Sequence, residues 1–144
     1  MATRTATINA DGIAEREVLY VRYELNQQTD VEGQPVGRTR GGKITLRVRT
    51  PKDGNTDIVE WMCDTNMSKN GVITIPAMDG SGHEVKSIKF KDGFVVSYSE
   101  TFDRRQELKL FEEFTISAKI IKIGNAVHNN NWNVDDYFDI PVMY

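Results

Sequence analysis

The segment Gly42–Arg49 alternates without a break, with Ile44, Leu46 and Val48 on one side and Lys43, Thr45, Arg47 and Arg49 on the other. Successive side chains of an extended chain point to opposite faces, so this spacing builds a strand with one dry face and one wet face. The same period recurs in Val18–Asn26, where Leu19, Val21, Tyr23 and Leu25 oppose Tyr20, Arg22, Glu24 and Asn26. It recurs again where Phe114, Ile116, Ala118 and Ile120 oppose Thr115, Ser117 and Lys119, before Ile121 and Ile123 blur it. Further strands are expected at about 2–9, 72–77, 84–90 and 94–102. Asp-Gly at 11–12, 53–54, 79–80 and 92–93, and Asn-Gly at 70–71, accept positive φ at little cost and suit tight turns between antiparallel strands.

Two segments depart from the pattern. From Asp57, an N-cap candidate, Ile58, Trp61 and Met62 recur at helical spacing, which predicts one short helix over about 57–64. Gln27–Gly41 has no apolar periodicity and contains Gly33, Pro35, Gly37 and Gly41. A structureless loop of that length is uncommon in a compact domain, so it is expected to be ordered by a partner. The fold class is therefore mainly β with a single helix.

The chemistry of the chain excludes several classes. Its 18 basic and 21 acidic residues leave a formal charge of −3, which does not favour a nucleic-acid backbone or an anionic membrane. No apolar run is long enough for a membrane helix, and the first residues lack the apolar core of a secretory signal. A single cysteine, Cys63, allows no internal disulfide and no thiolate metal cage, and is expected to be buried or half-buried. Neither His83 nor His128 lies in a nucleophile context, and Gly80-Ser-Gly82 reads as a hairpin turn. Asp135, Asp136 and Asp139 spell a magnesium–diphosphate pattern, but their place near the chain end and just before Pro141 favours a solvated tail. The aromatics Tyr20, Tyr23, Phe90, Phe94, Tyr98 and Phe102 are read as core filling rather than base-stacking platforms. No catalytic residue, cofactor or metal ligand is therefore expected.

A set of short segments carries a family resemblance. They are Tyr23-Glu-Leu-Asn-Gln-Gln-Thr-Asp30, Gly33-Gln-Pro35, Arg40-Gly-Gly-Lys-Ile44, Glu60-Trp-Met62, Ile88-Lys-Phe90, Tyr98-Ser-Glu-Thr-Phe102 and Phe114-Thr-Ile-Ser-Ala-Lys119. Gly124-Asn-Ala126, His128 and Trp132 close the series. In this order the chain resembles the Hcp-like (TssD) tube proteins of type VI secretion, especially their Bacteroidetes branch. The resemblance implies a small β-barrel of two packed antiparallel sheets with one flanking helix. It also implies homo-hexameric rings that stack into a hollow tube, driven by a contractile sheath together with a tip (spike) protein and secreted effectors. Assembly would be cytoplasmic, and export would need no signal peptide.

On this reading residues 1–132 form the tube domain and 133–144 a C-terminal extension of it. Gln27, Gln28, Thr29, Asp30, Arg38 and Arg40 are assigned to contact between stacked rings, and Lys43, Thr45, Arg47 and Arg49 to the lumen. Two alternatives stand beside it: the tube protein of a phage-tail-like or extracellular contractile injection particle, and a monomeric ligand-binding β-barrel.

Overall fold

The computed structural model describes residues 5–77, 79, 81, 83–107 and 110–130. The extension 133–144, Trp132 and the Asp135, Asp136 and Asp139 pattern lie outside the described residues. The strands are β1 (Ala6–Ala10), β2 (Ile13–Tyr23), β3 (Lys43–Arg49), β4 (Lys69–Pro76), β5 (Glu84–Phe102), β6 (Leu110–Ile123) and β7 (Ala126–Asn129), with helix α1 (Asp57–Cys63) between β3 and β4. They pair in the order β3-β2-β1-β4-β5-β6-β7, and a β3–β6 pairing closes the first six into a barrel. All the pairings are antiparallel.

Long strands change partner along their length. β2 pairs with β1 up to Val18 and with β3 from Val18 to Tyr23. β6 pairs with β3 over Phe111–Ser117 and with β7 over Ile120–Ile123. β5 pairs with β4 only as far as Gly93, and runs on with β6 to Phe102. One side of the barrel is thus a four-strand wall, β2-β3-β6-β5, made from the later half of β2, all of β3, and the adjoining halves of β6 and β5.

The dry face of β3 is the one the alternation predicts: Ile44, Leu46 and Val48 are fully buried. Burying an aliphatic side chain of that size contributes about 1.5–3 kcal/mol, which is why the register is firmly held. In β2 the expected facing needs correction. The strand begins at Ile13, and an irregularity between Val18 and Tyr20 switches its parity. Arg16 and Val18 are buried before the switch, while Val21 and Tyr23 pack on the core after it. Leu19 sits at the switch and is 37% exposed. A one-residue slip moves every later side chain to the other face, so reading through it misplaced Leu19.

The two expected strands at 84–90 and 94–102 are one strand. Asp92-Gly93 and Asn70-Gly71 do not turn the chain; they face one another across β4 and β5 at a register shift. Asp92 (φ +54°) donates its backbone N–H to Asn70 Oδ1 at 3.0 Å. The glycines make room for a ring. A Cβ on Gly71 would stand 2.6 Å from Phe90 Cζ, and one on Gly93 would stand 2.9 Å from Phe90 Cδ2. Asp11-Gly12, by contrast, is the two-residue hairpin turn expected, with Gly12 at φ +71° and Ala10 opposite Ile13.

Helix α1 docks by Ile58 and Trp61, both 1% exposed. Thr56, not Asp57, occupies the N-cap position, and Asn55 Oδ1 accepts the Asp57 N–H at 2.8 Å. Trp61 Nε1 donates to Met67 O at 3.1 Å and Gly93 O at 3.2 Å, while its ring stacks on Phe90 at 6.4 Å. Cys63 is exposed rather than half-buried, because the apolar stripe ends at Met62 and the next residue turns about 100° away from it. Of the aromatics read as core, Phe90 is buried and Tyr23 and Tyr98 pack against the core, but Tyr20 and Phe102 are exposed.

Candidate functional site: a polar wall and a projecting arm

The outward face of the four-strand wall is polar in transverse rows. Arg22, Thr45, Thr115 and Ser97 stand side by side across β2, β3, β6 and β5, and the next row is Tyr20, Arg47, Glu113 and Ser99. Thr45 and Thr115 share a hydroxyl hydrogen bond at 3.3 Å. Arg47 lies between the rings of Phe111 (5.2 Å) and Tyr20 (5.7 Å) and pairs with Glu113 at 3.5 Å. Arg49 donates to Glu17 at 3.0 Å. Half-exposed ion pairs such as these contribute under about 1 kcal/mol each, but they cancel charge on the wall. Lys43, Thr45, Arg47 and Arg49 therefore share the outward face of one strand, two of them with carboxylate partners. A cleft of about 690 Å³ lies at one end of the wall, lined from Arg22 to Ser97 and by Arg40 and Gly41 at the base of the arm.

The stretch from Glu24 to Arg40 is exposed throughout, yet it is not the structureless loop its composition suggests. It forms a two-legged arm with bridges at Asn26–Arg40 and Thr29–Pro35. Asn26 N–H donates to Arg40 O at 2.8 Å, Arg40 N–H returns to Asn26 O, and Val36 N–H donates to Gln28 O at 3.0 Å. Gln27 Nε2 adds a bond to Thr39 Oγ1 at 2.8 Å. At the tip, Asp30 Oδ1 accepts the N–H groups of Glu32 (2.9 Å) and Gln34 (3.0 Å) around Gly33 at φ +86°. Backbone ladders and polar caps hold such an arm, and both of its faces are wet, so no apolar period marks it in the sequence. Gln27, Gln28, Thr29 and Asp30 lie on one leg, and Arg38 and Arg40 on the other. Fully exposed Val31 crowns the tip.

A buried polar cluster, absent from the sequence reading, ties the wall to the helix. Arg16 and Glu112 are 2% and 1% exposed and pair at 2.5 Å. Arg16 also donates to Asn55 Oδ1 at 2.9 Å, and Tyr98 OH donates to Glu112 Oε2 at 2.5 Å. Burial first, and then the bond to Glu112, raise the Tyr98 phenol well above its ordinary value. A signal did exist. Glu112 continues the dry parity of Phe114, Ile116 and Ala118, and Arg16 shares the parity of Val18. A charge on a dry face calls for a partner of opposite sign. Among the described residues no group of three or more His, Cys, Asp and Glu side chains could hold a metal ion.

The family profile of hemolysin coregulated protein Hcp (TssD) matches residues 4–133. The chain belongs to the Hcp (TssD) family. The structure of Hcp1 from Flavobacterium johnsoniae is 35% identical, with TM-score 0.80, and the match covers 88% of this chain and 100% of that one. Hcp1 from Salmonella typhimurium shares the fold at 15% identity and TM-score 0.66, over 82% of this chain and 84% of that one. An extracellular contractile injection system, PVC, in its sheath–tube complex, shares it at 18% identity and TM-score 0.53, over 85% and 89%. No curated protein matches. The family match spans the barrel and helix α1 and extends through β7.

Proposed function

We propose that this Hcp-family chain is the non-enzymatic tube subunit of a type VI secretion system, forming hexameric rings that stack into a hollow tube. Its partners would be further copies of itself, a tip protein, a sheath and secreted effectors. The observation that carries the reading, beyond family membership, is the shape of the polar wall. It is polar and water-facing, with a cleft at the end where the arm leaves it. Among the described residues, no strand pairs with the outer edge of Tyr20–Tyr23 in β2 or with that of Val95–Phe102 in β5. Open edges attract strands. Two different edges on opposite sides of one wall suit a head-to-tail ring, in which each copy offers one patch to a different patch on its neighbour. The wall of such a ring faces the lumen, which gives Lys43, Thr45, Arg47 and Arg49 their role. Light scattering coupled to size exclusion should return about six chain masses. A strict monomer at high protein concentration would overturn the ring and favour a lone binding barrel.

The arm is assigned to contact between stacked rings. It leaves the wall at the Tyr23–Lys43 end, roughly 20 Å along β6 from the β5–β6 connection at the other end. Its polar sides suit a wet, reversible contact, and Arg38 and Arg40 can pair bidentately with carboxylates of a facing ring. Replacing Val31–Thr39 by a Gly-Ser link is expected to leave hexamers intact and abolish tubes and secretion. Normal tubes from that variant would remove the stacking role, and loss of the hexamer would move the arm to the interface within a ring. The fold shared with a chain of the PVC sheath–tube complex supports the tube of an extracellular injection particle as the second reading.

A further inference from the structure

The arm re-enters the barrel through Gly41-Gly42, and what surrounds that pair is unusually tight. Gly42 has φ +99°, and a Cβ there would stand 2.0 Å from Asn130 Nδ2. A Cβ on Gly41 would stand 2.8 Å from Glu24 O and 2.3 Å from Leu25 Cδ2. The side chain pressed against Gly42 comes from the far end of the described chain. Strand β7 and strand β3 lie on the same edge of β6, one after the other, so that the end of β7 meets the start of β3 at Ala118 and Lys119. Ala118 N–H donates to Gly42 O at 2.8 Å, and Asn130 N–H donates to Lys119 O at 2.8 Å.

The Asn130 amide is oriented from both sides. Its Nδ2 donates to Ala118 O at 2.9 Å. Its Oδ1 lies 2.8 Å from His128 Nε2 and accepts from it when that nitrogen carries the proton. The Ala118 carbonyl can only accept, so it holds the Nδ2 side of the amide towards itself, and that edge fills the space beside Gly42 that any side chain would take. Arg38, Thr39, Arg40, Gly41, Asn129 and Asn130 line one shared cleft at this joint.

We propose that Asn130, oriented by His128, is the positioning residue that fixes the direction in which the arm leaves the barrel. β7 then serves as a brace for the arm, joining two segments nearly ninety residues apart. The inference rests on the arm's stacking role only for its consequence, because the brace itself can be read on isolated rings. An arm held at its base presents Arg38 and Arg40 in one orientation, whereas a loosened arm must be ordered again at every ring contact.

The test is amide hydrogen exchange on rings of Asn130→Ala and His128→Ala, compared with the unchanged chain. For Asn130→Ala the Asn26 and Arg40 amides, which close the foot of the arm, should exchange about tenfold faster, while those of Leu46 and Ile116 in the core stay as they were. His128→Ala should act in the same direction and less strongly. Unchanged exchange at Asn26 and Arg40 would overturn the proposal, and so would a uniform rise across the barrel, which would make Asn130 merely a fold-stabilising residue. Tube formation separates the two ideas. If shortening the arm stops stacking but Asn130→Ala neither loosens the arm nor reduces tubes, the brace fails and the stacking role stands.

Discussion

Replacing Glu112 with alanine should lower the unfolding free energy by about 3–5 kcal/mol, because it leaves the Arg16 guanidinium buried without its counter-charge. The loss is not the net worth of the pair. Taking both ions out of water already costs several kcal/mol, and Arg16 Nε has no hydrogen-bond partner among the described residues. The double variant Arg16→Met/Glu112→Leu should therefore recover most of the loss, and ending near or above the parent stability is the expected result. Denaturant unfolding at one fixed protein concentration measures both, since assembly would otherwise shift the apparent stability. A cost under about 1 kcal/mol for Glu112→Ala would mean that Arg16 reaches water, and the cluster would lose its structural role. The charges hold the seam where β2, β5, β6 and the approach to α1 meet, and Asn55 links Arg16 to the first turn of the helix.

Trp61→Ala should cost a similar amount, about 3–5 kcal/mol, by opening a cavity under the helix. Trp61 is the largest fully buried side chain among the described residues, and it joins the helix to Gly93 and to the Phe90 ring. Trp61→Phe keeps much of the volume and removes the indole N–H, stranding the carbonyls of Met67 and Gly93, so about 1–3 kcal/mol should be lost. In thermal melts the alanine variant should drop by on the order of 10 °C, and the phenylalanine variant by a few degrees. Equal losses for the two would assign the whole effect to the hydrogen bonds. A negligible loss for alanine would mean that the helix is not clamped to the barrel by this side chain.

Residue order alone was enough for the mainly β class, the dry faces of β3 and β6, the helix and its docking stripe, and the Asp11-Gly12 hairpin. These follow from local rules: a period of two or 3.6 in the apolar residues, and glycine where φ must be positive. The short segments in family order are likewise legible in the sequence, and the family match over residues 4–133 agrees with them. The arm was legible as a segment but not as a ladder, because its bonds join backbone to backbone and leave no trace in hydrophobicity.

Tertiary structure decided what depends on partners far apart in the chain. The parity switch at Leu19 is a property of β2 lying against β3, and the face a residue takes after it is set across the sheet. Asn70-Gly71 and Asp92-Gly93 look like turns in isolation, yet β5 runs on through Gly93, and the Phe90 ring lies where side chains at both glycines would stand. The parity of Arg16 and Glu112 marks each as a charge on a dry face, but only the closed barrel makes them partners, 96 positions apart. Asn130 reads as one of several tail asparagines until β7 lands beside β3 and presses it on Gly42. Local sequence determines which face of an uninterrupted element is dry; only closure of the barrel determines what that face meets and where a strand switches face, because burial and pairing are made between elements and not within them.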